Sequence, residues 1–486
     1  MACTTILVGK NASYDGSTMI ARNDDNPNGR FAVKKMIKVT KDMQPKLYKS
    51  VIGHLEITLP DNPLEYSAFP NVDKESEGLW LAQGINECNV GMSATETITT
   101  NPRVLGADPL VTYKKAEGDN PEVPGGLGEE DLVLVTLPYI KSAREGVKRL
   151  GSLLEKYGTY ESNGIAFNDK DEVWFLETIG GHHWMARRVP DDMYVSMPNQ
   201  LGIDYFDFED AFGKQNDFMC SADLVDFMNE NHLNLNQNGV INPRLIFGSY
   251  DDSDHVYNTP RAWFMERYFN PSLGFDGPMA KYKPESNDIP WCLVPEHKIT
   301  VEDVKYILSS HYQGTPFDPY SRFGRPEDKR YRVIGINRTS ILSLCQIRGY
   351  ERPELQGVLW FTFASNPFNA FTAFVTSGHN VSSYYKDVEL TPQTSNFYWA
   401  NRIISALADA HFTSNSIHIE RYQDALHSSC HYLLNKLSKE FKSMDDVERI
   451  NEEIAQSCKK ETDKVLSNVL YTSSMEMKNA FKRSDN

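Results

Sequence analysis

The stretch CTTILVGKNASYDGSTMIARNDD, residues 3–25, sets two short strand-forming runs around a polar turn. TTILVG (4–9) and STMIAR (17–22) flank a segment holding Asp15-Gly16, a pattern that predicts a β-hairpin. Antiparallel pairing returns the end of the second run, Arg22-Asn23-Asp24-Asp25, to the start of the first, where Cys3 stands. That placement has chemical content. If Met1 and Ala2 are removed, Cys3 acquires a free α-amine whose ordinary pKa is about 7.7–8.0. Such an amine can take the thiol proton, so that one residue supplies both nucleophile and general base. A guanidinium beside a thiol favours the thiolate, and a carboxylate there can hold the α-ammonium. The competing reading is a small buried side chain at the start of a strand, next to an ordinary Asn/Asp-rich turn.

Working outward, GDNPEVPGGLGEEDL (118–132) breaks the pattern and leads into DLVLVTLPYIKSAREGVKRLGSLLEKYG (131–158), which predicts a pair of amphipathic helical segments. NGIAFNDKDEVWFLETIGGHHWMARRV (163–189) and MYVSMPN (193–199) predict a meander of strands. Residues 200–330 read as loop-rich and aromatic, with one clear helix following at 301–312. Strands return at 357–364 and 370–377, and from 396 onward roughly three charged helices close the chain.

At 486 residues the chain can bury a large core without staples. Its seven cysteines are scattered and contain no C-x-x-C pair, which fits a reducing, cytoplasmic compartment. No apolar run approaches the ~20 residues of a membrane span. A balance of 66 acidic against 50 basic residues, net −16, argues against a nucleic-acid partner. No P-loop, G-x-G-x-x-G or G-x-S-x-G motif falls at a strand-to-helix turn. His427, Cys430 and His431 share one helix face at a spacing that allows zinc, but no fourth ligand accompanies them, so no metal is expected. His182 and His183 lie on or beside a strand; alternation sends them to opposite faces, so a shared site is not expected.

The opening block, with EEDLVLVTLPYIKSAREGV (129–147), NGIAFNDKDEVWFLE (163–177), ARRVPDDMYVSMPNQ (186–200) and FYWANRIISALADAHF (397–412), resembles the dipeptidases of peptidase family C69 from lactic acid bacteria. That family belongs to the N-terminal-nucleophile hydrolases, with the penicillin V acylases and bile salt hydrolases as relatives. The resemblance implies an α+β fold of four layers, αββα. It places the nucleophile-hydrolase domain at 3–395, with a loop-rich insertion around 200–330, and a helical region at 396–486 packed on it. It implies Cys3 as nucleophile and matches the family's R-N-x-D motif to Arg22-Asn23-Asp24-Asp25, making Arg22 and Asp25 the supporting pair. Asn199 resembles the asparagine that helps bind the oxyanion or the N-terminal amine, and Arg261 the late active-site arginine. Thr95 and Glu96 stand where the acylase branch has another asparagine, and a carboxylate at Glu96 suits the ammonium of a dipeptide. Either self-cleavage or another agent must remove Ala2. The expectation is a cytoplasmic cysteine dipeptidase that needs no cofactor and acts on dipeptides, with a homo-oligomer allowed by the resemblance. An N-acyl amide hydrolase is the near alternative, and a non-catalytic interaction protein the remote one.

Overall fold

The hairpin forms as expected: Thr4–Val8 pairs antiparallel with Thr18–Asp25, with Thr5 opposite Arg22 and Thr4 opposite Asn23. The turn is shaped by Gly16 at φ +83°, a conformation that favours glycine, and by the Asp15 carboxylate, which accepts from the Ser17 hydroxyl at 2.6 Å. The computed structural model describes residues 3–93, 96–321 and 329–478.

Around this hairpin a seven-stranded sheet is built in the order Cys292–Leu293, Tyr194–Met197, Thr4–Val8, Thr18–Asp25, Thr339–Ile347, Gly357–Phe363, Thr372–Val375. A second, nine-stranded sheet contains the expected meander Asn163–Asn168, Val173–Ile179 and His183–Arg188. Pairing is antiparallel within both sheets. The sheets stack face to face, and side-chain amides tie them together. Gln83 Nε2 donates to the Ile20 carbonyl at 2.8 Å, and Asn168 Nδ2 to the Cys345 carbonyl at 3.3 Å.

Strand alternation then divides the second sheet cleanly. Ala166, Phe175, Ile179 and Met185 face the first sheet, while Ile165, Phe167, Trp174, Leu176 and Trp184 face the helix Ala143–Tyr157. That helix is started by Ser142, whose Oγ accepts from the Glu145 N–H. It lies directly on the aromatic rings: a Cβ on Gly151 would meet Trp184 at 2.3 Å. On the other side, three helices, Phe397–Ala410, Phe412–Glu440 and Met444–Met475, cover the outer face of the first sheet, where the Trp360 ring stands 5.1 Å from that of His431 and Asn401 Nδ2 donates to Thr362 Oγ1 at 3.3 Å. The arrangement is α+β, with helices outside two stacked sheets. Both sheets are covered on both faces, which is why their central strands are apolar in long runs rather than alternating.

Within the loop-rich residues 200–330 stand the eleven-residue helix Thr259–Phe269 and the short strands Phe218–Cys220 and Cys292–Leu293, which extend the two sheets. One expectation is corrected. His182 and His183 do converge, their Nδ1 atoms lying 2.9 and 2.8 Å from the two oxygens of Asp108, because His182 sits in the turn before the strand, where alternation does not apply. His427, Cys430 and His431 serve separate partners. His427 Nε2 accepts the Phe371 N–H at 3.1 Å, His431 Nε2 lies 2.7 Å from Glu302, and Cys430 is buried in the core. Among the described residues no helix is long and apolar enough to cross a membrane.

The helix Val301–Leu308 buries Lys305, whose Nζ donates to the Asn366 carbonyl at 3.1 Å beside a cleft of about 610 Å³. Burial pulls this ammonium down to about 7. An unfolded chain keeps the same proton to about pH 10.4. Between those values the unfolded state binds more protons, so stability rises with pH by about 1.4 kcal/mol per unit from this group, and below about 7 its full penalty is present. Lys305→Met is therefore expected to raise Tm at pH 6, less the cost of the orphaned Asn366 carbonyl, with the gain shrinking toward pH 10. Thermal unfolding across that range checks it; a gain independent of pH would assign the effect to packing alone.

Candidate active site

The register of the hairpin brings the open end of its first strand beside Arg22 and Asp24, which point to the same face as Cys3. Arg22 Nη2 donates to Cys3 Sγ at 3.0 Å. The same nitrogen meets Asp24 Oδ1 at 3.4 Å and forms a close pair with Glu129 Oε1, while Nη1 donates to the Ala82 carbonyl at 3.2 Å. Lys34 Nζ completes the cluster, 3.0 Å from Asp24 Oδ2. All five side chains are buried.

These charges set one another. Burial alone would lower the pKa of Arg22, but Cys3, Glu129 and Asp24 together hold it well above the ordinary value. Burial also works against the charge on Asp24, and Lys34 and Arg22 outweigh it, keeping that carboxyl below its usual range. At Glu129 burial prevails: with Asp24 and Glu161 adding to it, the carboxyl is pushed up to about 7 against the pull of Arg22. One carboxylate oxygen from each of Asp24 and Glu129 and the Cys3 sulfur lie within 4.8 Å of one another, a spacing that can hold a cation. Here Arg22 Nη2 touches all three, in the position a metal ion would take.

The backbone of Cys3 is held from the other flank. Arg261, in the first turn of Thr259–Phe269, forms a close hydrogen bond to the Cys3 carbonyl and donates to Thr4 Oγ1 at 2.7 Å. Its other nitrogen donates to Asn199 Oδ1 at 2.7 Å and Asn258 Oδ1 at 2.8 Å. Asn199 follows the strand Tyr194–Met197, which pairs directly with Thr4–Val8, and its Nδ2 donates to the Thr97 carbonyl at 2.8 Å. Cys3, Arg22, Asn199 and Arg261 are thus brought together from three distant parts of the chain.

Asp25 falls on the opposite face of its strand, forming a close pair with Arg332 and accepting from Thr339 Oγ1 at 2.6 Å. Burial raises its pKa, with Arg332 and Thr339 working against the shift. The carboxylates bound to Arg22 are those of Asp24 and Glu129. Thr95 and the side chain of Glu96 lie outside the described residues, as do Met1 and Ala2.

Sequence reasoning missed Glu129, Lys34 and Arg332. For Glu129 a signal was present: three acidic residues, Glu129-Glu130-Asp131, head the apolar run LVLVT, and all three are buried. Glu130 accepts the N–H groups of Val51, Ile52 and Gly53, and Asp131 accepts from Tyr48 and from the Gly128 N–H. Glu129 alone turns to the sulfur. A cleft of about 310 Å³, lined by Asp24, Lys34, Arg30, Phe31, Asn71 and Trp80 among others, opens onto the same cluster.

A cysteine just ahead of a strand, held by two buried arginines where the first sheet stacks on the second, makes the candidate site, and the comparisons with known proteins give the class of the chain. The family model described as peptidase family C69 matches residues 2–425, and the chain belongs to that family. It is 52% identical over 533 aligned residues to a protein named dipeptidase from Bifidobacterium longum, covering 100% of both chains. It is 47% identical to a probable dipeptidase A of Streptococcus pyogenes serotype M3, again over 100% of both. With the dipeptidase A of Lactobacillus helveticus it shares 43% identity over 98% of this chain and 95% of the other.

Proposed function

We propose that this protein is a dipeptidase in which Cys3, freed as the N-terminal residue by removal of Met1 and Ala2, attacks the peptide bond. Membership of a peptidase family and full-length likeness to proteins named dipeptidases support the activity. The observation that carries Cys3 as the nucleophile is its sulfur 3.0 Å from Arg22 Nη2. A fixed guanidinium stabilises negative charge on the buried sulfur.

In the proposed reaction the sulfur bonds to the scissile carbonyl carbon and the thiol proton passes to the α-amine of Cys3. As the tetrahedral adduct collapses, the C–N bond breaks and that proton goes to the departing amine, leaving a thioester. Water then attacks, its proton passing to the same α-amine, and the C–S bond breaks to release the second amino acid. Asn199 is placed beside Arg261 for oxyanion or amine binding, a contribution of about 3–4 kcal/mol for one well-aimed donor to an oxyanion. Asp25, paired with Arg332, is assigned to support of the first residue from the opposite face. The substrate carboxylate is assigned to Lys34, which lines the cleft while pairing with Asp24 and donating to the Trp80 carbonyl.

Intact-mass measurement of the active protein tests the free-amine mechanism. The expected mass lacks Met1 and Ala2, and a Cys3→Ala variant that keeps Ala2 would mean that the chain processes itself. Ala2 retained on a protein that cleaves dipeptides would require another base for Cys3.

A further inference from the structure

We propose that Glu129, with Asp24 behind it, forms the subsite that binds the α-ammonium group of the dipeptide. This rests on the dipeptidase reading above and deepens it.

Reach is the first argument. In an aminoacyl group the nitrogen is two bonds from the carbonyl carbon, about 2.5 Å away. With the sulfur about 3–3.5 Å from that carbon before attack, the ammonium falls within roughly 3–6 Å of the sulfur. A carboxylate that binds it must therefore lie close to the nucleophile, and oxygens of Glu129 and Asp24 lie within 4.8 Å of Cys3 Sγ. The same geometry gives a reason for cleavage one residue from the amino terminus, since a longer amino-terminal extension would place its ammonium beyond the carboxylates.

Vacant hydrogen-bonding capacity is the second. Glu129 is 2% exposed, and its Oε2 has no hydrogen-bond partner among the described residues, whereas Oε1 is bound to Arg22. Leaving a buried carboxylate oxygen without a donor is costly. Its neighbours Glu130 and Asp131 accept backbone and tyrosine donors, so within this acidic run the open oxygen belongs to the residue that faces the sulfur.

Charge is the third. Two buried carboxylates, Asp24 and Glu129, stand beside the Cys3 sulfur, with Arg22 and Lys34 as the side-chain cations that face them. Burial acts against ionisation of Glu129, and Glu161, which accepts the Glu129 N–H, adds a further negative field. An incoming ammonium offsets that field at the open Glu129 oxygen and supplies up to three N–H donors. An N-acylated substrate would bring none, and would bury the open oxygen against an uncharged group.

The test compares alanyl-alanine with propionyl-alanine, which keeps the scissile amide and lacks only the ammonium. Wild type is expected to prefer alanyl-alanine in kcat/KM, and Glu129→Gln to shrink that preference by about 10- to 100-fold, mainly through KM. Loss of a carboxylate within 4.8 Å of the sulfur should move the pH profile of Cys3 alkylation by iodoacetamide toward lower pH, a change that acts on both substrates alike. Equal losses on both substrates, or a shifted alkylation profile with the preference intact, would make Glu129 a positioning residue for Arg22 and overturn the proposal. If Glu129→Gln does not fold, wild type decides: alanine should protect Cys3 from alkylation and propionate should not, and equal protection overturns the subsite. A wild-type protein that cleaves no dipeptide would instead overturn the dipeptidase reading on which the subsite rests.

Discussion

Cys3→Ala is expected to lower kcat for dipeptide hydrolysis by roughly four to six orders of magnitude, the scale on which removal of a covalent nucleophile acts. The expectation follows from the surroundings of the sulfur. Its neighbours Arg22, Asp24, Glu129 and Lys34 can bind and polarise a substrate, but none can form the acyl intermediate that divides hydrolysis into two easier steps. Binding should survive, because the substitution deletes one sulfur atom and leaves the charged cluster in place. Two quantities decide the matter: single-turnover rates with a dipeptide, and KM or a dissociation constant for the same compound. Activity within tenfold of wild type would place the nucleophile elsewhere. Cys3→Ser adds a gradation, since a hydroxyl is far harder to ionise than a thiol, and it should retain at most a trace of activity.

Arg22→Met is expected to damage both stability and rate. The guanidinium is buried and bridges the sulfur, two carboxylates and the Ala82 carbonyl. Without it Asp24 and Glu129 face each other in a dry interior, and breaking a buried pair in this way costs about 3–5 kcal/mol. The loss should depend on pH. Glu129 titrates at about 7 in the intact cluster and higher without Arg22, so the variant carries the unopposed charge above neutrality and sheds it in acid. Thermal unfolding should therefore show the largest gap between variant and wild type near pH 8 and a smaller one near pH 5. Arg22→Lys is expected to recover part of the stability and little of the rate, because a single ammonium cannot reach all the acceptors that the planar fork meets. A gap in Tm that does not vary with pH would show that packing, rather than the two carboxylates, dominates the loss.

The hairpin and its chemistry were legible because they depend on local signals: alternation, a turn marked by Asp15-Gly16, and side chains paired by register. The three closing helices and the meander were legible for the same reason. The strand Thr339–Ile347 was not. TSILSLCQI is buried on both faces, so it lacks the alternation that marks a half-exposed strand, and no tight turn announces it. The helix carrying Arg261 was hidden by its composition. Thr259–Phe269 is buried nearly all round, and its preceding Asn and Asp residues read as loop. Within the site, the R-N-x-D pattern marked Arg22 and Asp25 as the supporting pair, and the register adds Asp24 beside Arg22. Glu129 carried a local signal in the acidic run 129–131, but nothing local sets it against Arg22, 107 residues away.

The central hairpin of the first sheet has neighbours that are far away along the chain. Its first strand waits for Tyr194–Met197, and its second for Thr339–Ile347. At a translation speed of about 5–20 residues per second, roughly 15–60 s separate the emergence of Arg22 from that of its flanking strand. During that interval the thiol, the guanidinium and the carboxylates belong to an unpaired edge in water, where their mutual influence is weak. Contacts of such long range also form slowly. The order of the chain thus works as a timer on assembly: Cys3 and Arg22 are made first and gain their full set of neighbours last, once most of the polypeptide has been made.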